Sequence, residues 1–190
     1  GTYNSVELFD PIEKSFTHYP TQTIVLTMLE NDDGSFFLGW GDGLFVFDPK
    51  KEKKIYQVAD YYHARSIIRD SQGIVWTATL KGLLQLYSKN KAFNVYRQFG
   101  TGIGHIIEDA NNEIWLLGYN EYQVTHTLFR FNSPTGKITR RTTNFPDSSI
   151  RAFFKDSIGN VRALSPVQLE KNDPRTRKTQ VIHLDSRGKI

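Results

Sequence analysis

The 190-residue chain contains no cysteine and a single methionine. Without cysteine it has neither a disulfide framework nor a thiolate metal site. No run approaches the roughly 18 apolar residues of a membrane-spanning helix, and the first residues lack the basic and apolar segments of a signal peptide. Hydrophobic residues nevertheless make up 38% of the chain and aromatic residues 13%. This apolar content excludes a disordered chain and leaves a folded domain.

Charge is distributed unevenly along the chain. Residues 1–136 carry 12 basic and 15 acidic side chains, a net of −3, whereas residues 137–190 carry 12 basic and 5 acidic, a net of +7. The total of +4 is therefore a local property of the C-terminal part. A solvated basic surface is one interpretation and attraction of an acidic partner is the other. Neither a basic helix nor a nucleic-acid-binding motif accompanies the charge, so no nucleic-acid partner is expected.

The chain does contain an internal repeat. Four segments share an apolar run, an Asp or Asn, a turn and a second apolar run, and their turn residues are Gly34, Gly73, Asn112 and Gly159. The spacings between these turn residues are 39, 39 and 47. Asparagine tolerates positive φ better than most residues other than glycine, so we expect the third turn to keep the same backbone conformation.

Each of the complete repeats contains four short runs rich in β-branched and aromatic residues, bounded by Gly, Asp, Asn and Pro. No window shows a persistent helical stripe. Four short antiparallel strands in ~40 residues are typical of one β-propeller blade. We name these strands a to d from the centre of a propeller outward. In the second repeat we expect them near 64–69, 74–79, 83–87 and 93–97.

The predicted fold class is therefore all-β, a β-propeller of four-stranded antiparallel blades in an incomplete ring of about four and a half blades. A closed ring of seven such blades would need about 280 residues. The predicted divisions are a blade remnant at 1–21, blades at 22–62, 63–101 and 102–148, and a degenerate blade at 149–190. Residues 181–190 fit either an outer strand with its turn or the opening of a fifth unit.

Two stretches of the repeat match a known pattern. One is Ile107-Glu108-Asp109, followed after a turn by Ile114-Trp115, and the other is Gly43-Leu44-Phe45-Val46-Phe47-Asp48-Pro49. They resemble the two-component regulator propeller repeat family, in which a strand ending in Glu-Asp and a turn glycine precede Ile-Trp-Ile-Gly-Thr and Gly-Leu-Phe-Arg-Phe-Asp strands. The resemblance covers about residues 6–165.

The resemblance implies a function. In that family such repeats form the extracytoplasmic sensor region of membrane-bound bacterial two-component regulators, often hybrid histidine kinases that respond to glycans. It implies a periplasmic sensor domain that binds a small-molecule or oligosaccharide ligand and relays the signal to a kinase region outside this chain. This segment is then not an enzyme, although its parent carries histidine kinase activity, and it needs no cofactor or metal. Other blades of the parent are its expected neighbours, and open blade edges predict a homodimer.

The chain departs from the family pattern at three places. Trp40 and Tyr119 stand where the family has a threonine, and Tyr119 is followed by a longer loop. Arg162 stands where a buried aromatic residue is expected. The fourth unit is therefore the one in which the apolar pattern is weakest.

The loops of one propeller face collect the unusual residues. In a four-stranded blade the b–c turn and the d–a connection emerge together, and here they combine aromatic rings, carboxylates, imidazoles and arginines, which suits a carbohydrate or a peptide. The predicted ligand-binding residues are Trp40, Asp42, Tyr61, Tyr62, His63, Arg65, His105, Tyr119, Glu121, Tyr122, His126 and Arg151. The alternative is that the loop tips are simply polar and the aromatic residues pack between blades. Trp76 and Trp115, in mid-strand, are predicted to be core residues.

Catalysis finds little support in the sequence. It has no nucleophile elbow, zinc-protease motif or Walker A motif, and no catalytic residue is assigned. The glycine-rich stretch at 100–104 precedes a strand rather than a helix, so we expect a blade connection and not a phosphate loop. Two other functions stay open, a propeller lyase or glycan hydrolase with channel carboxylates, and a protein–protein scaffold that associates through strand edges.

Overall fold

The computed structural model describes residues 5–21, 24–51, 53–60, 63–86, 93–119, 127–142, 152–156, 161–168 and 177–183. In these ranges the strands are β1 (Ser5–Asp10), β2 (Ser15–Pro20), β3 (Val25–Glu30), β4 (Phe36–Trp40), β5 (Gly43–Asp48), β6 (Lys53–Asp60), β7 (Ala64–Arg69), β8 (Val75–Thr79), β9 (Gly82–Leu86), β10 (Phe93–Tyr96), β11 (Gly102–Glu108), β12 (Glu113–Tyr119), β13 (Thr127–Asn132), β14 (Lys137–Thr142), β15 (Ala152–Lys155), β16 (Val161–Gln168) and β17 (Arg177–His183). The one helical element described is a three-residue 3-10 turn at Pro49–Lys51, so no described helix could cross a membrane.

The strands form antiparallel sheets in which sequence neighbours are also spatial neighbours. These sheets are the hairpin β1–β2, the four-stranded sheets β3–β6, β7–β10 and β11–β14, and the three-stranded sheet β15–β17. Four-stranded meanders of this kind are propeller blades, so the predicted fold class is confirmed. In the second repeat, the four strands begin and end within one residue of the expected positions.

The chain divides into two compact units, Gly1–Gln98 and Phe99–Ile190. The first unit contains the hairpin and the sheets β3–β6 and β7–β10, and the second contains the sheets β11–β14 and β15–β17. Each unit has its own apolar contacts between successive sheets.

In the first unit, two apolar clusters join three successive sheets. Tyr19 of the hairpin packs with Trp40 and Phe47 of sheet β3–β6, and Tyr19 meets Phe47 edge-on at 5.1 Å between ring centroids. On the other side of the same sheet, Leu44 packs with Ile67 of β7 and with other residues of sheet β7–β10. Strands buried on both faces explain why β5, β8 and β9 read as nearly continuous apolar runs.

In the second unit, one cluster joins sheets β11–β14 and β15–β17. Trp115, Leu117 and Leu128 of the first sheet pack with Phe153 and Val161 of the second. Trp115 is 1% exposed, and Trp76 in the first unit is fully buried. The prediction that both tryptophans are core residues is confirmed.

A carboxylate in the a–b turn ties the turn to the core. Oδ1 of Asp70 accepts hydrogen bonds from the backbone N–H of Gln72 and Ile74, at 3.0 and 2.8 Å. Its Oδ2 accepts one from Nε1 of Trp76 at 2.7 Å. The next repeat has the same arrangement, with Oδ2 of Asp109 accepting from Nε1 of Trp115 at 2.9 Å. Turn aspartates commonly accept from backbone amides in this way, and here the bond to the indole adds a link that the sequence did not reveal.

The last repeat keeps this link with a different donor. Oδ2 of Asp156 accepts hydrogen bonds from Nε and Nη2 of Arg162, at 3.0 and 2.9 Å. Arg162 lies six residues after the turn aspartate, as Trp76 and Trp115 do. The departure from the family pattern at Arg162 therefore replaces an indole N–H with a guanidinium on the same carboxylate.

The turns themselves need a left-handed residue at their fourth position. Gly34 and Gly73 have φ of 79° and 80°, and Asn112 has φ of 61°. The expectation that Asn112 preserves the turn is confirmed.

The C-terminal strand settles the assignment of part of residues 181–190. β17 pairs with β16 in a register that places His183 opposite Arg162 and Val181 opposite Leu164. Residues 181–183 thus belong to a strand of sheet β15–β17, and residues 184–190 lie outside the described part of the chain. The blade boundaries given above stay predictions.

Replacing Asp70 with alanine is expected to destabilise the protein by about 2–4 kcal/mol, because it removes three hydrogen bonds and leaves a buried indole N–H unsatisfied. The double variant with Trp76→Phe should lose less free energy of unfolding than the sum of the two single losses, because both changes remove the same hydrogen bond. Urea unfolding of the two single variants and the double variant measures this coupling.

The matched control is Asp10→Ala. Asp10 also caps a turn, accepting from the backbone N–H of Ile12 and Glu13, but that turn is exposed. Its loss should be under about 1 kcal/mol. Strictly additive losses for the Asp70 and Trp76 changes would show that the two side chains act independently.

Candidate functional site

The b–c turn of sheet β3–β6 and the start of β7 lie side by side in the first unit. β4 ends at Trp40 and β5 begins at Gly43, so Asp42 is at the tip of a tight turn. A Cβ on Gly39 would lie 2.8 Å from Cβ and 2.9 Å from the carbonyl oxygen of Ala64. The absence of a side chain at Gly39 therefore lets β7 approach the end of β4. His63 and Arg65, on either side of Ala64, are thereby brought to the same edge as Asp42.

Arg65 is placed by a β-bulge. In the pairing of β7 with β8 the register shifts between Ala64 and Ser66, which leaves Arg65 as the extra residue. Ala64 and Ser66 are buried, whereas Arg65 is exposed. A bulge redirects the side chain of its extra residue, and here it turns the guanidinium out of the sheet.

The same bulge recurs in the first and third repeats. The register shifts between Val25 and Thr27 in β3, and between Ile103 and His105 in β11. The extra residues are Leu26 and Gly104, and each lies five positions before the turn Asn or Asp, as Arg65 does. Arg151 holds the corresponding position in the last repeat, and no feature of the sequence indicates the bulge. The stretch 100–104, expected to be a connection, enters strand β11 at Gly102.

His63 and Trp40 have opposite environments. His63 is exposed and adopts a left-handed backbone with φ of 43°. Trp40 is 5% exposed, and its ring lies 3.9 Å from that of Phe45 between centroids. Trp40 thus packs between the hairpin and sheet β3–β6, as in the alternative interpretation, whereas the exposed polar groups at this edge are Asp42, His63 and Arg65.

In the second unit His105 follows the bulge of β11. Its ring meets that of Phe153 edge-on, 5.6 Å between centroids and 82° between planes. Its Nδ1 is buried and has no hydrogen-bond partner in the described part of the chain. Burial lowers the pKa of His105 below its usual value, because a low-dielectric surrounding disfavours the charged imidazolium.

The other predicted residues are not all described. Tyr119 is the last residue of β12 and pairs with Gly102. The remaining members of the predicted set lie outside the described residues, namely Tyr61, Tyr62, Glu121, Tyr122, His126 and Arg151. For these residues the assignment to a ligand-binding face stays a prediction.

A polar cavity in the second unit was missed from the sequence. It has a volume of about 390 Å³ and is lined by Glu113, Arg130, Asn132, Thr135, Lys137 and Thr139. It lies at the end of the strands opposite to the b–c turns. The one available signal was the chain's net positive charge after residue 136, to which Lys137 belongs. Elsewhere, the described ranges contain no group of three His, Asp or Glu side chains able to hold a metal ion.

Solved structures share this fold. The extracellular domain of a protein described as the hybrid two-component system BT3049 of B. thetaiotaomicron matches 85% of the chain, with 22% identity and a TM-score of 0.65. Hydrazine synthase of Kuenenia stuttgartiensis matches 98% of the chain with 12% identity and a TM-score of 0.77. Virginiamycin B lyase of Staphylococcus aureus matches 96% with 14% identity and a TM-score of 0.67.

The chain spans 22%, 58% and 64% of the lengths of these three structures. No protein-family model and no curated protein sequence matches it. At these identities the similarity establishes the β-propeller fold, in agreement with the four-stranded sheets, and it includes both an extracellular domain of a two-component system and enzymes.

The partly buried His105 is expected to make stability depend on pH. Because the pKa of His105 is lower in the folded protein, the unfolded chain binds more protons as the pH falls through the ordinary value of about 6.5. Stability should therefore decrease between pH 7.5 and 5.0, and His105→Gln should lose less over the same interval. Urea midpoints at the two pH values give the comparison.

The control for His105→Gln is His63→Asn, which removes an exposed imidazole and keeps a residue that tolerates positive φ. Its stability should change with pH as the unsubstituted protein does. An unchanged pH dependence in His105→Gln would contradict the assignment of a burial effect to this histidine.

Proposed function

We propose that the chain is a ligand-sensing propeller region of a bacterial two-component regulator, belonging to the two-component regulator propeller repeat family. The proposal is supported by the agreement between the sequence pattern and the fold. The family's repeat pattern coincides with four-stranded sheets, and an extracellular domain of a hybrid two-component system shares the fold. On this proposal the chain is periplasmic and passes its signal to a histidine kinase region outside it, and other blades of the parent are its neighbours.

The proposed ligand site in the first unit is the edge that carries Asp42, His63 and Arg65. A carboxylate, an imidazole and a guanidinium at one exposed edge can hydrogen-bond both donors and acceptors of a polyhydroxylated molecule. Tyr61 and Tyr62, which precede His63 in the chain, would supply flat rings for stacking on a sugar. An oligosaccharide is therefore the proposed ligand class, and carbohydrate sensing the proposed role.

For the second unit we propose a corresponding set in the same part of the repeat. Its members are His105, Tyr119, Glu121, Tyr122, His126 and Arg151. They supply the same side-chain chemistry as the first set, namely imidazoles, phenol rings, a carboxylate and a guanidinium.

An enzymatic function is the second candidate, because two of the similar structures are named as enzymes. It requires acidic and basic groups at hydrogen-bonding distance from a substrate. The exposed pair Asp42 and His63 offers both chemistries, so the two functions differ in one outcome. A sensor releases its glycan intact, whereas a lyase or hydrolase shortens it.

Self-association is favoured by one specific surface of the first unit. Hairpin β1–β2 exposes Leu8, Phe9, Ile12 and Phe16, at 48 to 86% of their maximal areas. Among the described residues, β1 is hydrogen-bonded only to β2. Exposed apolar strands associate with other strands, and we propose a homodimer in which the exposed apolar side chains of this hairpin in two copies meet.

Substitutions at the Asp42 edge should weaken glycan binding without unfolding the chain. We expect Arg65→Gln and Asp42→Asn each to raise the Kd of an oligosaccharide selected on a glycan array by about tenfold, a loss of about 1.4 kcal/mol. Isothermal titration measures the Kd, and chromatography of the recovered glycan tests whether it is intact.

The controls remove the same charges elsewhere. Lys50→Gln and Asp32→Asn alter exposed residues in turns at the other end of sheet β3–β6, and they should leave the Kd unchanged. Equal losses of glycan affinity in the variants and the controls would contradict the proposed site. Recovery of a shortened glycan would contradict the sensor function and support the enzymatic one.

Charge in the exposed hairpin should dissociate the proposed homodimer. Phe16→Asp is expected to shift the sedimentation coefficient from that of a dimer to that of a monomer, because it places a carboxylate beside Phe9, 4.9 Å away between ring centroids. Phe154→Asp, at another partly exposed phenylalanine, serves as the control. If the unsubstituted chain were monomeric at high concentration, the proposed homodimer would be ruled out.

A further inference from the structure

The polar cavity of the second unit is formed by one face of sheet β11–β14. The register pairs Glu113 with Asn132, Asn132 with Lys137, and Arg130 with Thr139, so all five side chains project from the same face. Its volume of about 390 Å³ lies within the usual range of small-molecule sites, ~300–1,000 Å³. The cavity is at the a–b and c–d turns, and it is therefore separate from the site proposed above.

The guanidinium in this cavity is held in place on two sides. Arg130 forms an ion pair with Glu113, and its side chain is 16% exposed. Its guanidinium carbon also lies 5.1 Å from the centroid of the Trp115 ring. Trp115 is fixed in turn by its bond to Asp109. Arg130 is thus a preorganised cation, and preorganisation lowers the entropic cost of binding.

The turn between β13 and β14 orients the second group of polar side chains. Oδ1 of Asn132 accepts from the backbone N–H and the hydroxyl of Thr135, at 3.0 and 2.5 Å. The Thr135 hydroxyl accepts from the backbone N–H of Lys137 at 3.3 Å. Because its Oδ1 is engaged in the turn, the group that Asn132 has left to donate to a ligand is its amide N–H₂. Lys137 is exposed at the rim, and its ammonium group adds three donors.

The charges and donors of the lining favour an anion with hydroxyl groups. Two cations, Arg130 and Lys137, face one carboxylate, Glu113, which leaves a net charge of +1. Two threonine hydroxyls and one amide complete the lining, and they suit ligand hydroxyls better than apolar groups. We propose that this cavity binds a small hydroxylated carboxylate, of which a sugar acid is an example, with its carboxylate near Lys137 and Arg130.

The test uses the whole chain and isothermal titration with D-glucuronate, D-glucose and inorganic phosphate. We expect D-glucuronate to bind at least tenfold more tightly than D-glucose, which has the same ring without the carboxylate. We also expect it to bind more tightly than phosphate, which lacks the sugar hydroxyls. Lys137→Met should weaken D-glucuronate binding about tenfold, because it removes one cation and keeps a side chain of similar length.

Glu113→Gln provides a variant with the opposite expected sign. It removes the negative charge but keeps a side-chain oxygen that can accept from Arg130, and it raises the net charge of the lining from +1 to +2, so D-glucuronate should bind several-fold more tightly. Loss of folding cannot produce a gain, and this variant therefore separates electrostatics from damage. Lys50→Met removes an exposed lysine in the first unit and should have no effect.

Three results would overturn the proposal. They are equal binding of D-glucose and D-glucuronate, phosphate binding that exceeds D-glucuronate binding, and unchanged D-glucuronate binding in Lys137→Met. Weaker binding in Glu113→Gln would likewise contradict the electrostatic argument. None of these results bears on the Asp42 edge, which lies in the other unit.

Discussion

The hydrogen bond between a turn carboxylate and the residue six positions later is the constraint on which the repeat depends. In the second and third repeats one oxygen of Asp70 or Asp109 caps the turn, and the other accepts from a buried indole. A buried donor without a partner costs about 1–3 kcal/mol. If the turn opened, the buried indole N–H would lose its acceptor. The conformation of the turn and the packing between sheets therefore depend on each other.

At the position six residues after the turn aspartate, the ability to donate a hydrogen bond is kept more strictly than apolar character. Arg162 is far from an apolar residue, and yet it donates to Asp156 as the tryptophans donate to their aspartates. The first repeat has no indole at this position, since it carries Phe37 after Asn31. There Oδ1 of Asn31 accepts instead from Nη2 of Arg69, in the next sheet, at 2.9 Å. The second, third and last repeats therefore keep the same acceptor with an indole or a guanidinium as the donor, whereas the first repeat bonds to the next sheet.

The fold could be predicted from the sequence because its signals are local. Short runs of apolar and aromatic residues indicate the strands, the turn residues indicate positive φ, and both signals operate within a few positions. The candidate site could be predicted only in part. The burial of Trp40 depends on Tyr19 from another sheet, and the ion pair of Glu113 with Arg130 depends on strand register. Neither relation leaves a mark in any short stretch of sequence.

The recurring bulge explains how one repeat can carry different surface chemistry. Its extra residue is excluded from the ladder register and is not needed in the core, so the sheet does not constrain its side chain. The position accordingly holds Leu26, Arg65 and Gly104 in three successive repeats. Because the turn Asn or Asp lies five residues later, directly after the same strand, a structural group accompanies a variable one in each of these repeats. Binding specificity can then change at the bulge without altering the bonds that hold the blade together.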